Sequence, residues 1–117
     1  MKSERDYLLD MLSYTRKIAD FTRDGREAFF ADEKTQLAVI RAYEVIGEIA
    51  KRLPDDLLAQ QPQTEWKQIK GFRDFLAHNY DEVALKIVWG AVEQLSDLST
   101  SVEAMLSATD ESVNDEK

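Results

Sequence analysis

Residues 32–54, DEKTQLAVIRAYEVIGEIAKRLP, decide the fold class. Val39, Tyr43, Ile46, Ala50 and Leu53 recur at intervals of three and four, which places them on one stripe of a helix. Asp32 stands where a side-chain oxygen can cap the first free N–H groups. Pro54 ends the run, because proline has no N–H and disfavours helical geometry in the residue before it. A helix of this length and amphipathicity needs other helices to cover its stripe.

The flanking sequence supplies them. Tyr7, Leu8, Met11, Leu12, Thr15, Ile18 and Phe21 predict a helix from about Ser3 to Thr22, opened by a capping arrangement of Ser3 and Asp6. The stretch RDGREAFFAD interrupts the pattern at Gly25. After Pro54, the connector PDDLLAQQPQ leads to Thr64, a candidate cap for a third helix from Glu65 to about His78. Trp66, Ile69, Phe72 and Leu76 are its inward residues. Asn79, Tyr80 and Asp81 form a break, and Asp81 can cap a fourth helix from Glu82 to about Ser107. Its stripe runs through Val88, Ala91, Val92, Leu95, Leu98, Val102, Met105 and Leu106. Nothing alternates with a period of two for long enough to be a strand. The expected fold is all-α, an up-and-down bundle of four main helices. Residues 1–108 form one domain, and residues 109–117 an acidic tail expected to be disordered.

Composition excludes several kinds of chemistry. The absence of cysteine removes disulfides, thiolate nucleophiles, Fe–S clusters and cysteine-type zinc sites. The single histidine, His78, removes every His-x-x-x-His metal motif, so neither metal nor cofactor is expected. Four glycines and two prolines are too few for a glycine-rich phosphate loop. No stretch approaches the roughly 20 apolar residues of a membrane span, and the charged start lacks a signal-peptide core. A cytoplasmic protein without membrane partners is therefore expected. Fifteen basic residues against 23 acidic ones give a net charge of −8, which argues against broad nucleic-acid binding and against DNA as a partner. The balance is local, however: between Gln63 and Tyr80, Lys67, Lys70 and Arg73 outnumber Glu65 and Asp74.

Most conspicuous residues fit a plain bundle. Trp66 and Trp89 fall at helical spacing and read as core. Gly47 costs about 1 kcal/mol relative to alanine inside a helix, which close helix–helix approach would explain, with Glu48 beside it on a more polar face. The segment 71–81, GFRDFLAHNYD, gathers Arg73, Asp74, His78, Asn79 and Tyr80 at a helix end. One reading makes His78 a C-terminal cap favoured by the helix dipole, Arg73 a surface residue and Tyr80 a loop anchor. The other makes them a site.

The residues Arg73-Asp-Phe-Leu-Ala-His78-Asn-Tyr80 resemble the Arg-x-x-x-x-His-x-Tyr signature of HEPN domains, specifically the HepT-like group. The likeness extends to RAYEVIGEIAKRL (residues 41–53) with its Gly-Glu pair, to WKQIKGFRDFLAHNYDEV (66–83) and to IVWGAVEQL (87–95), and covers most of residues 5–106. The resemblance implies a toxin of a toxin–antitoxin pair: a metal-independent endoribonuclease in which the RNA 2′-hydroxyl attacks the adjacent phosphorus. It also implies a homodimer with a composite site. Its partner would be a nucleotidyltransferase antitoxin of the MntA type, which transfers AMP to Tyr80 and with which higher hetero-oligomers can form.

That reaction needs a base, an acid and positive charge on the phosphorane. His78 is the side chain type that exchanges protons near neutrality, and Arg73 can hold two phosphate oxygens in its planar fork. Asp74, four residues before His78, could orient the imidazole, and Asn79 could donate to the phosphate. Two difficulties stand against a single chain. One histidine cannot be acid and base in the same step, and five helical residues turn Arg73 about 140° from His78. A two-fold dimer with facing motifs answers both. The competing readings are a non-catalytic helical adaptor for the nucleotidyltransferase and a nucleotide-binding module using Arg73 and Lys70.

Overall fold

The computed structural model describes residues 2–79 and 81–115, the last six of these as backbone alone. Every regular element among the described residues is a helix: α1 (Glu4–Phe21), α2 (Arg26–Ala31), α3 (Glu33–Lys51), α4 (Asp55–Ala59), α5 (Trp66–His78), α6 (Glu82–Glu93) and α7 (Leu95–Asp115). The four-helix bundle is present, with α1, α3 and α5 as three members and α6 followed by α7 as the fourth. No helix among the described residues is long and apolar enough to cross a membrane.

The expected caps organise the helix starts. Ser3 and Asp6 form a reciprocal capping box, each side chain accepting from the other's backbone N–H. These bonds hold the Asp6 carboxyl below its ordinary range. Asp32 accepts from Lys34 N at 3.2 Å and from the Thr35 hydroxyl, which likewise lowers its pKa. Asp81 accepts from Val83 N and Ala84 N and opens α6. Thr64 departs from expectation. Its hydroxyl is buried and faces α7, meeting the Ser101 hydroxyl at 2.6 Å and donating to the Asp97 carbonyl, so the N-cap of α5 is Glu65. A buried hydroxyl gains more from a buried partner than from an exposed helix start.

Helix α3 lies between α1 and α5, and α7 closes on the far side of α1. Leu8, Met11 and Ile18 of α1, Val39, Tyr43 and Ile46 of α3, Phe72 of α5 and Val102 and Met105 of α7 are almost wholly buried. Tyr43 and Phe72 bring their rings to 5.1 Å across the α3–α5 seam. The close approach at Gly47 is real: a Cβ there would stand 2.5 Å from the backbone oxygen of Ile69. Trp66 is core, with its indole N–H donated to the Gln61 carbonyl, and Trp89 packs on Phe29 with ring centroids 5.3 Å apart.

Two short helices occupy stretches expected to be connectors. In α2, Gly25 takes φ +94°, a backbone that L side chains rarely adopt, and turns the chain so that Phe29 is buried. The Gln36 amide then donates to the Phe29 and Phe30 carbonyls at the end of α2. In α4, Pro54 starts the helix rather than merely ending α3. The single long fourth helix is corrected to two, parted at Gln94 (φ −102°, ψ 12°). The Gln94 N–H is shared by the Ala91 and Val92 carbonyls, a tightened last turn. The bend lets α6 reach α3 while α7 follows α1, which one straight rod would not do. Helical backbone continues to Asp115, past the Ser107 that periodicity marked.

Candidate functional site

The last two turns of α5 carry the candidate residues. Phe72 and Leu76 are buried and pack the helix against the bundle, which turns its other face outward. Arg73, Asp74, Ala77 and His78 are exposed on that face. The helical rotation between them puts Arg73 and His78 at opposite edges of one outward strip, about 140° apart. Within one chain, the structure therefore does not bring the arginine and the histidine together.

Arg73 turns toward α3. Its Nη1 lies 3.5 Å from Oε1 of Glu48, and the same oxygen accepts from Lys51 Nζ at 3.2 Å. The Lys51 hydrogen bond, assisted by the Arg73 charge, holds the Glu48 carboxyl below the usual glutamate range. One turn before, Lys70 Nζ meets Asp55 Oδ1 at 3.1 Å. Two of the three cations of α5 thus have carboxylate partners from α3 and α4. In the sequence Glu48 stands as a polar neighbour of Gly47 and as part of the Gly-Glu pair that resembles the HepT-like pattern, with nothing that marks it as a partner of Arg73. Its pairing follows from the close approach that Gly47 permits, since the backbones of α3 and α5 come together there.

The other expected residues take these places. Asp74 is exposed and does not hydrogen-bond His78, and neither has an ion-pair partner among the described residues. His78 is the last residue of α5, so its imidazole sits where the unpaired carbonyls of the helix end concentrate negative potential. Asn79 is the C-cap, and its Nδ2 donates to the Phe75 carbonyl at 3.0 Å, closing the helix rather than facing solvent. Tyr80 lies outside the described residues. Asp81 is committed to capping α6. Among the described residues, no group of three or more histidines and acids is arranged to hold a metal ion.

A groove of about 390 Å³ opens beside this helix end, floored by Ile40, Leu76 and Leu85 and flanked by Leu37, Glu33 and Asp81. Leu37, which lines this groove, is 46% exposed, and Val83, at the start of α6, is 59% exposed.

Comparison with known proteins places the geometry in context. A protein of Methanocaldococcus jannaschii that carries an RNase name is 44% identical over 92 residues, 78% of this chain and 76% of its own. A Thermococcus cleftensis protein named as a HepT ribonuclease is 39% identical over 94 residues, covering 80% of this chain and 86% of its own. A Caldanaerobacter subterraneus protein with an RNase name is 31% identical over 108 residues, 91% of this chain and 96% of its own. No solved structure matches the chain. The family model described as "Ribonuclease HepT-like" matches residues 11–105, which include α3, α5, α6 and the whole outward strip. The chain belongs to the HepT-like ribonuclease family.

Proposed function

We propose that this chain is the toxin of a toxin–antitoxin pair, a metal-independent endoribonuclease that works as a homodimer. Arg73 clamps the scissile phosphate and two copies of His78 act as base and acid on the 2′-hydroxyl and the 5′-oxygen. The observation that carries the reading is the exposure of Arg73 and His78 on the outer face of one helix, in a chain of ribonuclease family. Solvent-facing residues of these two types contribute nothing evident to the core. Asp74 adds negative charge within a turn of the imidazole, a supporting role, and Asn79 keeps the helix end closed.

The antitoxin is a nucleotidyltransferase of the MntA type that silences the chain by adding AMP to Tyr80. The added phosphate would stand within a few residues of Arg73 and His78, pair with their charge and repel an RNA backbone. Intact-mass measurement after coexpression tests this: AMP-sized increments that vanish in Tyr80→Phe support it, and an inactive but unmodified chain removes it.

One experiment tests the nuclease itself. Purified chain is incubated with RNA in excess EDTA, beside Arg73→Ala and His78→Ala. Cleavage that persists, leaves 2′,3′-cyclic phosphate ends and disappears in both variants with their helical circular dichroism intact is the expected result. The adaptor reading draws on the net charge of −8 and on the carboxylates that already pair with Arg73 and Lys70. It predicts no cleavage by the wild type, with nucleotidyltransferase binding retained in His78→Ala.

A further inference from the structure

We propose that Glu48 is a positioning residue for Arg73, itself steadied by Lys51. The inference rests on the ribonuclease reading of Arg73 and adds to it a group on a different helix. Arg73 stands on an outward helix face with its side chain 65% exposed, where an unrestrained guanidinium would sample many rotamers. Ordering those rotamers at each encounter with a phosphate would cost binding and misplace the charge in the transition state.

Glu48 supplies the restraint. Its Oε1 reaches one terminal nitrogen of Arg73 at 3.5 Å and is fixed from the other side by Lys51 at 3.2 Å. An arginine has five N–H donors, so one occupied nitrogen leaves the rest of the fork available to phosphate. The chain Lys51–Glu48–Arg73 crosses the α3–α5 seam where Gly47 lets the helices meet, and so Glu48 is within reach at all. The contact directs the guanidinium to the α3 edge of the strip, away from His78 of its own chain.

The Lys70–Asp55 pair provides an internal control. Asp55→Asn and Glu48→Gln remove the same charge from the same side of the molecule, but only Glu48 contacts Arg73. RNA cleavage is followed at steady state, together with the ¹H–¹⁵N relaxation of the Arg73 Nε–H group. Glu48→Gln is expected to lower kcat about tenfold without raising KM, because the freed guanidinium binds phosphate but no longer holds it in place. Lys51→Met should lower kcat less, Asp55→Asn should leave it unchanged, and the Arg73 Nε–H signal should become mobile in Glu48→Gln alone. Equal kcat in Glu48→Gln and wild type, equal losses in Glu48→Gln and Asp55→Asn, or an Arg73 signal already mobile in the wild type would each overturn the proposal. If the wild type does not cut RNA, the ribonuclease reading fails separately, and the relaxation measurement still decides whether Glu48 positions Arg73.

Discussion

The Glu48 carboxylate of α3 lies 3.5 Å from the Arg73 guanidinium of α5, across the seam where Gly47 lets the two helix backbones approach closely. Exposed ion pairs add little to stability, so the value of this one is geometric. It ties the direction of the candidate phosphate-binding group to a helix–helix contact in the core. The site is thus built from packing outward: Tyr43 on Phe72 sets the seam, Gly47 sets its width, and Glu48 sets Arg73.

Gly47→Ala should therefore damage both stability and activity. The new Cβ would meet the Ile69 backbone oxygen at 2.5 Å, and backbone cannot rotate away as a side chain can. Overpacking of this kind costs about 1–3 kcal/mol, more than the helix propensity that alanine returns. Thermal unfolding should show a lowered Tm. Gly71→Ala makes the comparison clean, because a Cβ there meets nothing within 4 Å and should raise Tm or leave it unchanged. A Gly47→Ala chain as stable as the wild type would mean that the seam relaxes freely.

Local sequence carried α1, α3 and α5 and three of the four expected caps, because each depends on neighbours in the chain, and it marked Gly47 because a glycine inside a helix is costly without a packing reason. It missed what depends on the far side of the fold. The stripe from Val88 to Leu106 keeps its period straight through Gln94, so nothing in the pattern marks the bend that separates α6 from α7. Thr64 stands where a cap belongs, yet Ser101, 37 residues away, takes its hydroxyl. The motif residues Arg73 and His78 are visible as a spacing, and their divergence follows from helix geometry alone. The Glu48 partnership does not, since it joins residues 25 positions apart through a contact that only the assembled bundle makes.

The Glu48 carboxyl gives a pH signature. It is held below the ordinary glutamate range, chiefly by the Lys51 hydrogen bond and then by the Arg73 charge. A depressed carboxylate contributes stability that is present above the unfolded pKa and lost as pH falls through the folded one. Carboxyl ¹³C titration should place the Glu48 midpoint below that of an unstructured glutamate. Lys51→Met should raise it further than Arg73→Ala does. A midpoint unchanged by both substitutions would mean that the pairs are absent in solution.

Tyr43 makes the opposite prediction at high pH. Tyr43 is 1% exposed, its hydroxyl has no hydrogen-bond partner among the described residues, and burial pushes its pKa far up. An unfolded tyrosine ionises near pH 10, so unfolding becomes easier as pH climbs past that point, while the native phenol stays neutral. Tyr43→Phe removes an unsatisfied polar atom and keeps the ring against Phe72. Its Tm should equal or exceed that of the wild type, and the alkaline loss of stability should shrink. A clear drop in Tm would show that the hydroxyl is satisfied in solution, for instance by water in the small cavity that Tyr43 shares with Thr64 and Gln68.

A homodimer is the last expectation, and it rests on the proposed ribonuclease mechanism. General acid and general base must act in one transition state, and each chain brings a single histidine. Arg73 and His78 diverge by about 140°, and Glu48 draws Arg73 further to its own edge. Two outward strips facing across a two-fold axis would supply both histidines and both arginines to a shared cleft. Leu37 on α3 and Val83 on α6 are exposed apolar side chains that such a dimer could bury. Light scattering at micromolar concentration should give twice the chain mass. Replacing Leu37 and Val83 together by aspartate should yield a folded monomer that no longer cuts RNA, since neither side chain belongs to the core. A wild-type monomer that cleaves RNA would sink the composite site, and with it the assignment of acid and base to two copies of His78.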